Sequence, residues 1–136
     1  MSTPPLLSPD SCVMCYREAM VDDSRQTLDA MARIAKALSD PTRLAMLDVM
    51  AQGRSCCGLP DPAERGVPGT ADPLGICVCE LQEHFGLGQS KVSYHLRVLR
   101  EAGLIKEETR GKWSFYAIDR EAVSAALSTL RSLLRV

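Results

Sequence analysis

The stretch CVCELQEHFGLGQSKVSYHLRVLREA, residues 77–102, holds two apolar patterns of helical period separated by Gly86, Leu87 and Gly88. In the first, Leu81 and Phe85 stand four apart with Glu80, Gln82 and Glu83 among them, which predicts a short amphipathic helix over 77–85. In the second, Val92, Leu96 and Leu99 share one side of a helix over 89–102. That helix turns Gln89, Ser90, Lys91, Ser93, Tyr94, His95, Arg97 and Arg100 outward. Two helices joined by a tight glycine-containing turn form a helix-turn-helix, whose second member lies in the major groove of DNA.

The flanking sequence extends this unit in both directions. Downstream, LIKEETRGKWSFYAI, residues 104–118, reads as two extended runs about an Arg110-Gly111 turn, a β-hairpin or wing. Upstream, Leu28, Met31, Ala35 and Leu38 give a helix over 24–38 its apolar side. Asp40 and Pro41 then start another helix: the aspartate accepts hydrogen bonds from the open first turn, and proline fits the first helical position, where no N–H is needed. Leu44, Leu47 and Ala51 are its expected inner face, and Gly53 ends it. Residues 53–75 contain five glycines and four prolines and read as a long loop. The chain closes on Val123, Ala126, Leu127, Leu130, Leu133 and Leu134, a leucine-rich helical face that a second copy of the chain is expected to cover. The organisation is therefore a 1–23 extension followed by a mostly helical winged helix-turn-helix domain over 24–136, with a 53–76 insertion, the whole acting as a homodimer.

Charge supports a nucleic-acid face. The chain has 136 residues and a net charge of −1, but residues 89–113 carry Lys91, Arg97, Arg100, Lys106, Arg110 and Lys112 against Glu101, Glu107 and Glu108, leaving that segment at +3 and the rest at −4. A basic surface on an otherwise acidic protein is the electrostatic footprint of a small DNA-binding face. The opening MSTPPLLSPDS has neither a basic n-region nor an apolar h-region, and no run of 18 apolar residues occurs, so a cytoplasmic protein with no membrane partner is expected. In that compartment the six cysteines, Cys12, Cys15, Cys56, Cys57, Cys77 and Cys79, read as metal ligands or redox groups rather than a disulfide framework. Thiolates select soft ions: As(III) and Sb(III) take three sulfurs in a pyramid, while Cd(II), Pb(II) and Zn(II) accept three or four. Cys56 and Cys57 begin the loop and Cys77 and Cys79 end it, so an ion held by these four would clip it shut. Residues two apart on a regular helix point about 200° apart. If Cys77 and Cys79 both lie on the short helix, gripping one ion with both requires its first turn to unwind.

Four segments, LSDPTRLAML, ICVCEL, QSKVSYHLRVLREAGLI and RGKWSFYAI, make residues 24–132 resemble the ArsR/SmtB metalloregulatory repressors, most closely the arsenic-responsive members. The resemblance implies a winged-helix homodimer, joined through its first and last helices, that leaves a twofold operator when a metal or metalloid binds. It places recognition contacts on Gln89, Ser90, Ser93 and His95, and phosphate contacts on Lys91, Arg97, Arg110 and Lys112; the outward Tyr94 is expected on the same DNA-binding surface. For the ion, the arsenite sensors carry a third cysteine three residues after the Cys-Val-Cys run; here that position is Gln82, so the trio is incomplete. The cadmium and lead sensors join the pair to two N-terminal cysteines of the other protomer, and Cys12 and Cys15 stand in the corresponding region. The family's zinc site on the last helix needs histidine, and residues 119–136 have none. The expected inducer is As(III) or Sb(III), the alternatives being Cd(II), Pb(II) or Zn(II) on four cysteines between protomers, or a thiol redox switch.

The remaining polar residues point to no catalysis. His84 is expected on the surface and Trp113 in wing packing, and no Ser/His/Asp arrangement or phosphate-cradling glycine motif occurs, so neither an enzyme nor a small-molecule substrate is expected. A redox pair at Cys12 and Cys15 would require a preceding strand, which TPPLLSPDS does not offer.

Overall fold

Asp40 fixes the first corner of the chain: its Oδ1 accepts hydrogen bonds from the N–H groups of Thr42 (2.7 Å) and Arg43 (3.2 Å), capping a helix that opens with Pro41. The computed structural model describes residues 22–52 and 75–136. In chain order these form α1 (Asp22–Leu38), α2 (Pro41–Gln52), β1 (Ile76–Cys77), α3 (Val78–Phe85), α4 (Gln89–Glu101), β2 (Ile105–Arg110), β3 (Trp113–Ile118) and α5 (Arg120–Leu134). Gly86, at φ 61°, closes α3 in the left-handed conformation and turns the chain into α4. A mostly helical winged helix-turn-helix results, as expected, with α4 in the recognition position.

The sheet differs from a plain hairpin. Its order is β1-β3-β2, all antiparallel, with Ile76 opposite Tyr116 and Cys77 opposite Phe115. Two residues are too few to leave a period in the sequence, so β1 was not foreseen, and Cys77 belongs to it rather than to the short helix. The wing turn is also shifted by one residue. Arg110 pairs with Trp113, so the two turn residues are Gly111 and Lys112, with φ 58° at Gly111. A positive φ at the first turn position is what glycine supplies in a tight hairpin.

One core joins the helices to the sheet. Ala37, Met46, Val49, Met50, Ile76, Leu81, Val92, Leu96, Leu99, Leu104, Ile105 and Tyr116 form it. The inward set expected for α4, Val92, Leu96 and Leu99, is there; the set expected for α2 is not. Leu44 and Ala51 face solvent and Leu47 is half-buried, while Arg43, Met46, Val49 and Met50 point inward. RLAMLDVMA is apolar on nearly every side, so periodicity could not choose a face. On α1, likewise, Leu28 and Ala35 are exposed, and Ile34 and Ala37 do the inner packing.

Gly75 delivers the chain into β1 at φ 96°, pressed so closely on the sheet that a Cβ there would collide with the Tyr116 carbonyl. Both the backbone conformation and the space exclude a side chain. Gly75→Ala is expected to destabilise the domain by about 2–4 kcal/mol, lowering the thermal midpoint by roughly 10 °C. Gly86→Ala, with open space around its Cβ, should lower it less; equal midpoints for the two variants would count against this packing.

Candidate nucleic-acid interface and thiol site

α4 begins at Gly88 with neither a capping side chain nor an acidic residue in its first turn. Its leading N–H groups and positive dipole end are thus open to an anion. Gln89, Ser90, Lys91, Ser93, Tyr94 and Arg97 are exposed along it, as the sequence predicted. His95 is not. It is half-buried, with Nδ1 3.4 Å from Nη1 of Arg43. Arg43 in turn donates from Nε to the Ala37 carbonyl (2.6 Å) and from Nη2 to the Lys36 carbonyl (3.1 Å), and lies 3.6 Å from Asp40. One buried guanidinium therefore satisfies the open end of α1 and sets the angle between α1, α2 and the recognition helix. Sequence reasoning passed over Arg43; the signal was a cation three residues after an N-cap aspartate, following directly on the end of another helix.

The cations of the wing and of the end of α4 divide into two groups. Arg110 donates from Nε to Glu108 at 3.0 Å, Lys106 lies 3.4 Å from Asp119, and Arg100 pairs with Glu107. Glu107 also accepts from the Tyr116 hydroxyl at 3.0 Å. Burial pushes its carboxyl up, but the hydrogen bonds from Tyr116, Ser114 and Arg100 outweigh this and hold it below the ordinary carboxylate range. Lys112 is exposed at the turn and sits over the Trp113 ring, 5.5 Å from its centroid.

Cys77 and Cys79 stand in unlike surroundings. Cys77 is the N-cap of α3, with extended backbone at φ −84° and ψ 164°; its N–H donates to Oε2 of Glu80 at 2.8 Å. Burial pushes its thiol above the ordinary value; a hydrogen bond from the Glu80 N–H opposes the rise, and the Glu80 carboxylate and Cys79 reinforce it. Cys79, on the first turn, is exposed. The two cysteines are therefore not a pair on one regular helix, and the expectation that joint binding must unwind its first turn is corrected: Cys77 is already off the helix. Glu80, expected on a polar face, is 1% exposed. The signal was its place three residues after the N-cap, where a carboxylate reaches back to the cap N–H.

Both cysteines line a cleft of 280 Å³ with Gln82, Gln89, Lys112 and Trp113. The cleft brings the thiol pair, the first residue of the recognition helix and the wing to one place. Cys12, Cys15, Cys56 and Cys57 lie outside the described residues, and among the described residues no cluster of three or more metal-ligating side chains occurs. His84 is exposed, edge-on to Phe85, as expected. Among the described residues no helix is long and apolar enough to cross a membrane.

Comparison with known proteins agrees with this geometry. The model of the family described as bacterial regulatory protein, arsR family, matches residues 76–107, from β1 through α4 into β2. An uncharacterized HTH-type transcriptional regulator of Bacillus subtilis (strain 168) is 30% identical over 102 residues, which cover 73% of this chain and 93% of that protein. The chain belongs to the ArsR family. ArsR proteins are DNA-binding regulators rather than enzymes. The arsenical resistance operon repressor of the same Bacillus strain is 52% identical over 52 residues, 38% of this chain, so this chain spans 50% of that relative's length. Among solved structures, the homodimeric winged helix-turn-helix DNA-binding domain of a Mycobacterium bovis protein superposes with a TM-score of 0.58 at 23% identity, covering 86% of this chain and 89% of that one, a likeness of fold.

Proposed function

We propose that the chain is a transcriptional repressor that holds a twofold operator as a homodimer and releases it when As(III) or Sb(III) is taken by Cys77 and Cys79. The observation that carries this reading is the cleft in which those two thiols adjoin Gln89 of the recognition helix and Lys112 and Trp113 of the wing. The arsenical resistance operon repressor of B. subtilis supports the choice of ion. Residues 24–136 serve as the DNA-binding and dimerisation unit. Gln89, Ser90, Ser93 and Tyr94 reach base edges, and Lys91, Arg97 and Lys112 meet phosphates. Arg110 contributes to the phosphate contacts by exchanging its Glu108 partner, and His95 acts mainly through Arg43, holding α4 at its angle.

A thiophilic ion supplies strong bonds to sulfur that displace thiol protons. The chain's part is to present one buried and one exposed sulfur beside the reading elements. Because Cys77 pairs with Phe115 on β3 and caps α3, any shift of its sulfur is passed to the wing and the helix-turn-helix together. The third sulfur comes from Cys12, Cys15, Cys56 or Cys57, and Cd(II), Pb(II) or Zn(II) on four thiolates is the alternative. Reduced full-length protein on its own promoter DNA is expected to dissociate on titration with As(III) or Sb(III). Release by Cd(II), Pb(II) or Zn(II) alone would transfer the assignment to the four-thiolate site, and release only on oxidation to a redox switch. Operator affinity indifferent to every ion and to oxidant would overturn the sensor reading.

A further inference from the structure

A second cleft, of 330 Å³, opens between α1 and the recognition helix, away from the cysteines, with Arg33, Lys36, Arg43, Tyr94, Arg97 and Glu101 around it. Its charge is one-sided, four cations to one carboxylate. Four cations of the domain stand beside carboxylates: Arg100 with Glu107, Lys106 with Asp119, Arg110 with Glu108, and within this cleft Arg43 with Asp40. Arg33, Lys36 and Arg97 have no carboxylate within ion-pair distance among the described residues, and Glu101 is joined to none of them. The Arg97 guanidinium rests 5.7 Å from the centroid of the Tyr94 ring, which steers it without neutralising it.

Position says what such a group of charges meets. The major groove is roughly 12 Å wide and a helix with its side chains about 10–12 Å across, so a helix lying in the groove has a phosphate wall along each flank. Tyr94, Arg97 and Glu101 mark one flank of α4, and α1 continues that flank outward. On α1 the cations are also well placed. Arg33 and Lys36 stand about 200° and 140° around the helix from Met31, so they stay open when the stripe bearing Met31 and Leu28 is covered.

We propose that Arg33, Lys36 and Arg97 each meet a DNA backbone phosphate along the α1 flank of the recognition helix, making the first helix part of the DNA-binding surface as well as of the dimer. The proposal rests on the reading that α4 enters the major groove. Phosphate contacts act on affinity through counterion release and carry no base information, so they have a distinct signature. The test is the Arg33→Gln, Lys36→Gln double variant of the full chain, both residues being exposed, titrated on operator and on unrelated duplex over a range of NaCl. The slope of log affinity against log salt is expected to fall by about 0.9 for each contact removed, roughly 3.6 for two contacts in each of two protomers, with the operator-to-unrelated ratio unchanged. Lys36→Gln alone should show half of that. A slope equal to wild type, or a changed ratio at constant slope, would overturn the proposal while leaving operator binding through α4 intact. A wild-type chain that binds no duplex would overturn both. Weakened binding of inorganic phosphate with an unchanged DNA slope would assign the cleft to a free anion and overturn the DNA contacts.

Discussion

A chain carrying Leu127→Glu and Leu130→Glu is expected to sediment as a folded monomer and to lose operator affinity by about two orders of magnitude or more. The reason is that α5 buries none of its residues within the protomer: Leu127 is 58% exposed, Leu130 41%, Leu133 42% and Leu134 63%. Fully burying one leucine contributes about 1.5–3 kcal/mol, so four from each protomer supply a strong drive to association. The groove beside them, between Ala30, Met31 and Ile34 of α1 and Ala122, Ala125 and Ala126 of α5, has a volume of 380 Å³ and a mostly apolar lining. It continues the same surface. A carboxylate in this seam stays in water in the monomer but is desolvated in the dimer, so the change acts on assembly rather than on the core. One protomer then meets one half-site, and the gain from tethering two is lost. Persistence of the dimer in the double variant, with normal operator binding, would remove α5 from the interface.

What was legible in the sequence, and what was not, follows from how many residues each feature spans. The recognition helix was clear because Val92, Leu96 and Leu99 recur against a polar background, and all three are buried. α2 was found through Asp40 and Pro41, yet its inner face was misjudged because Leu44, Met46, Leu47 and Val49 are equally apolar; the face is chosen there by the shared core with Ala37 of α1 and with Leu96 of α4, the latter distant in sequence. β1 has two residues and exists only because β3 offers an edge. The same pairing decides the thiol site, since it takes Cys77 off the helix and buries it while Cys79 stays in water. Arg43 and Glu80 were passed over for a related reason: a charged residue is assigned to the surface unless its partners are known. Those partners are the backbone groups of Lys36 and Ala37 for Arg43 and of Cys77 for Glu80.

Cys77→Ser and Cys79→Ser are each expected to leave a protein that holds the operator and ignores the ion. Cys79 is exposed, so its replacement disturbs no packing. Cys77 sits against Phe115 and Trp113, and a hydroxyl there loses some apolar contact, but the cap survives because it is the backbone N–H of residue 77 that Glu80 holds. DNA affinity without ion should therefore stay within a few-fold of wild type in both variants. The response should vanish, because a serine hydroxyl does not bind soft ions as a thiolate does. In the wild type, linkage requires ion and operator to weaken each other equally, by about 1–3 kcal/mol of coupling, or roughly 5–150-fold in affinity. In the variants that ratio should fall to about one. The wing supplies an independent readout. Trp113 is the chain's single tryptophan and lines the cleft with both sulfurs, so its emission should change with As(III) in the wild type and stay constant in the serine variants. Replacing Cys12 with Cys15, or Cys56 with Cys57, pairwise by serine then identifies the remaining ligand as the pair whose loss abolishes both signals. If Cys77→Ser and Cys79→Ser each still release DNA at the wild-type ion concentration, the sensing thiols lie elsewhere in the chain and the route through β1 is wrong.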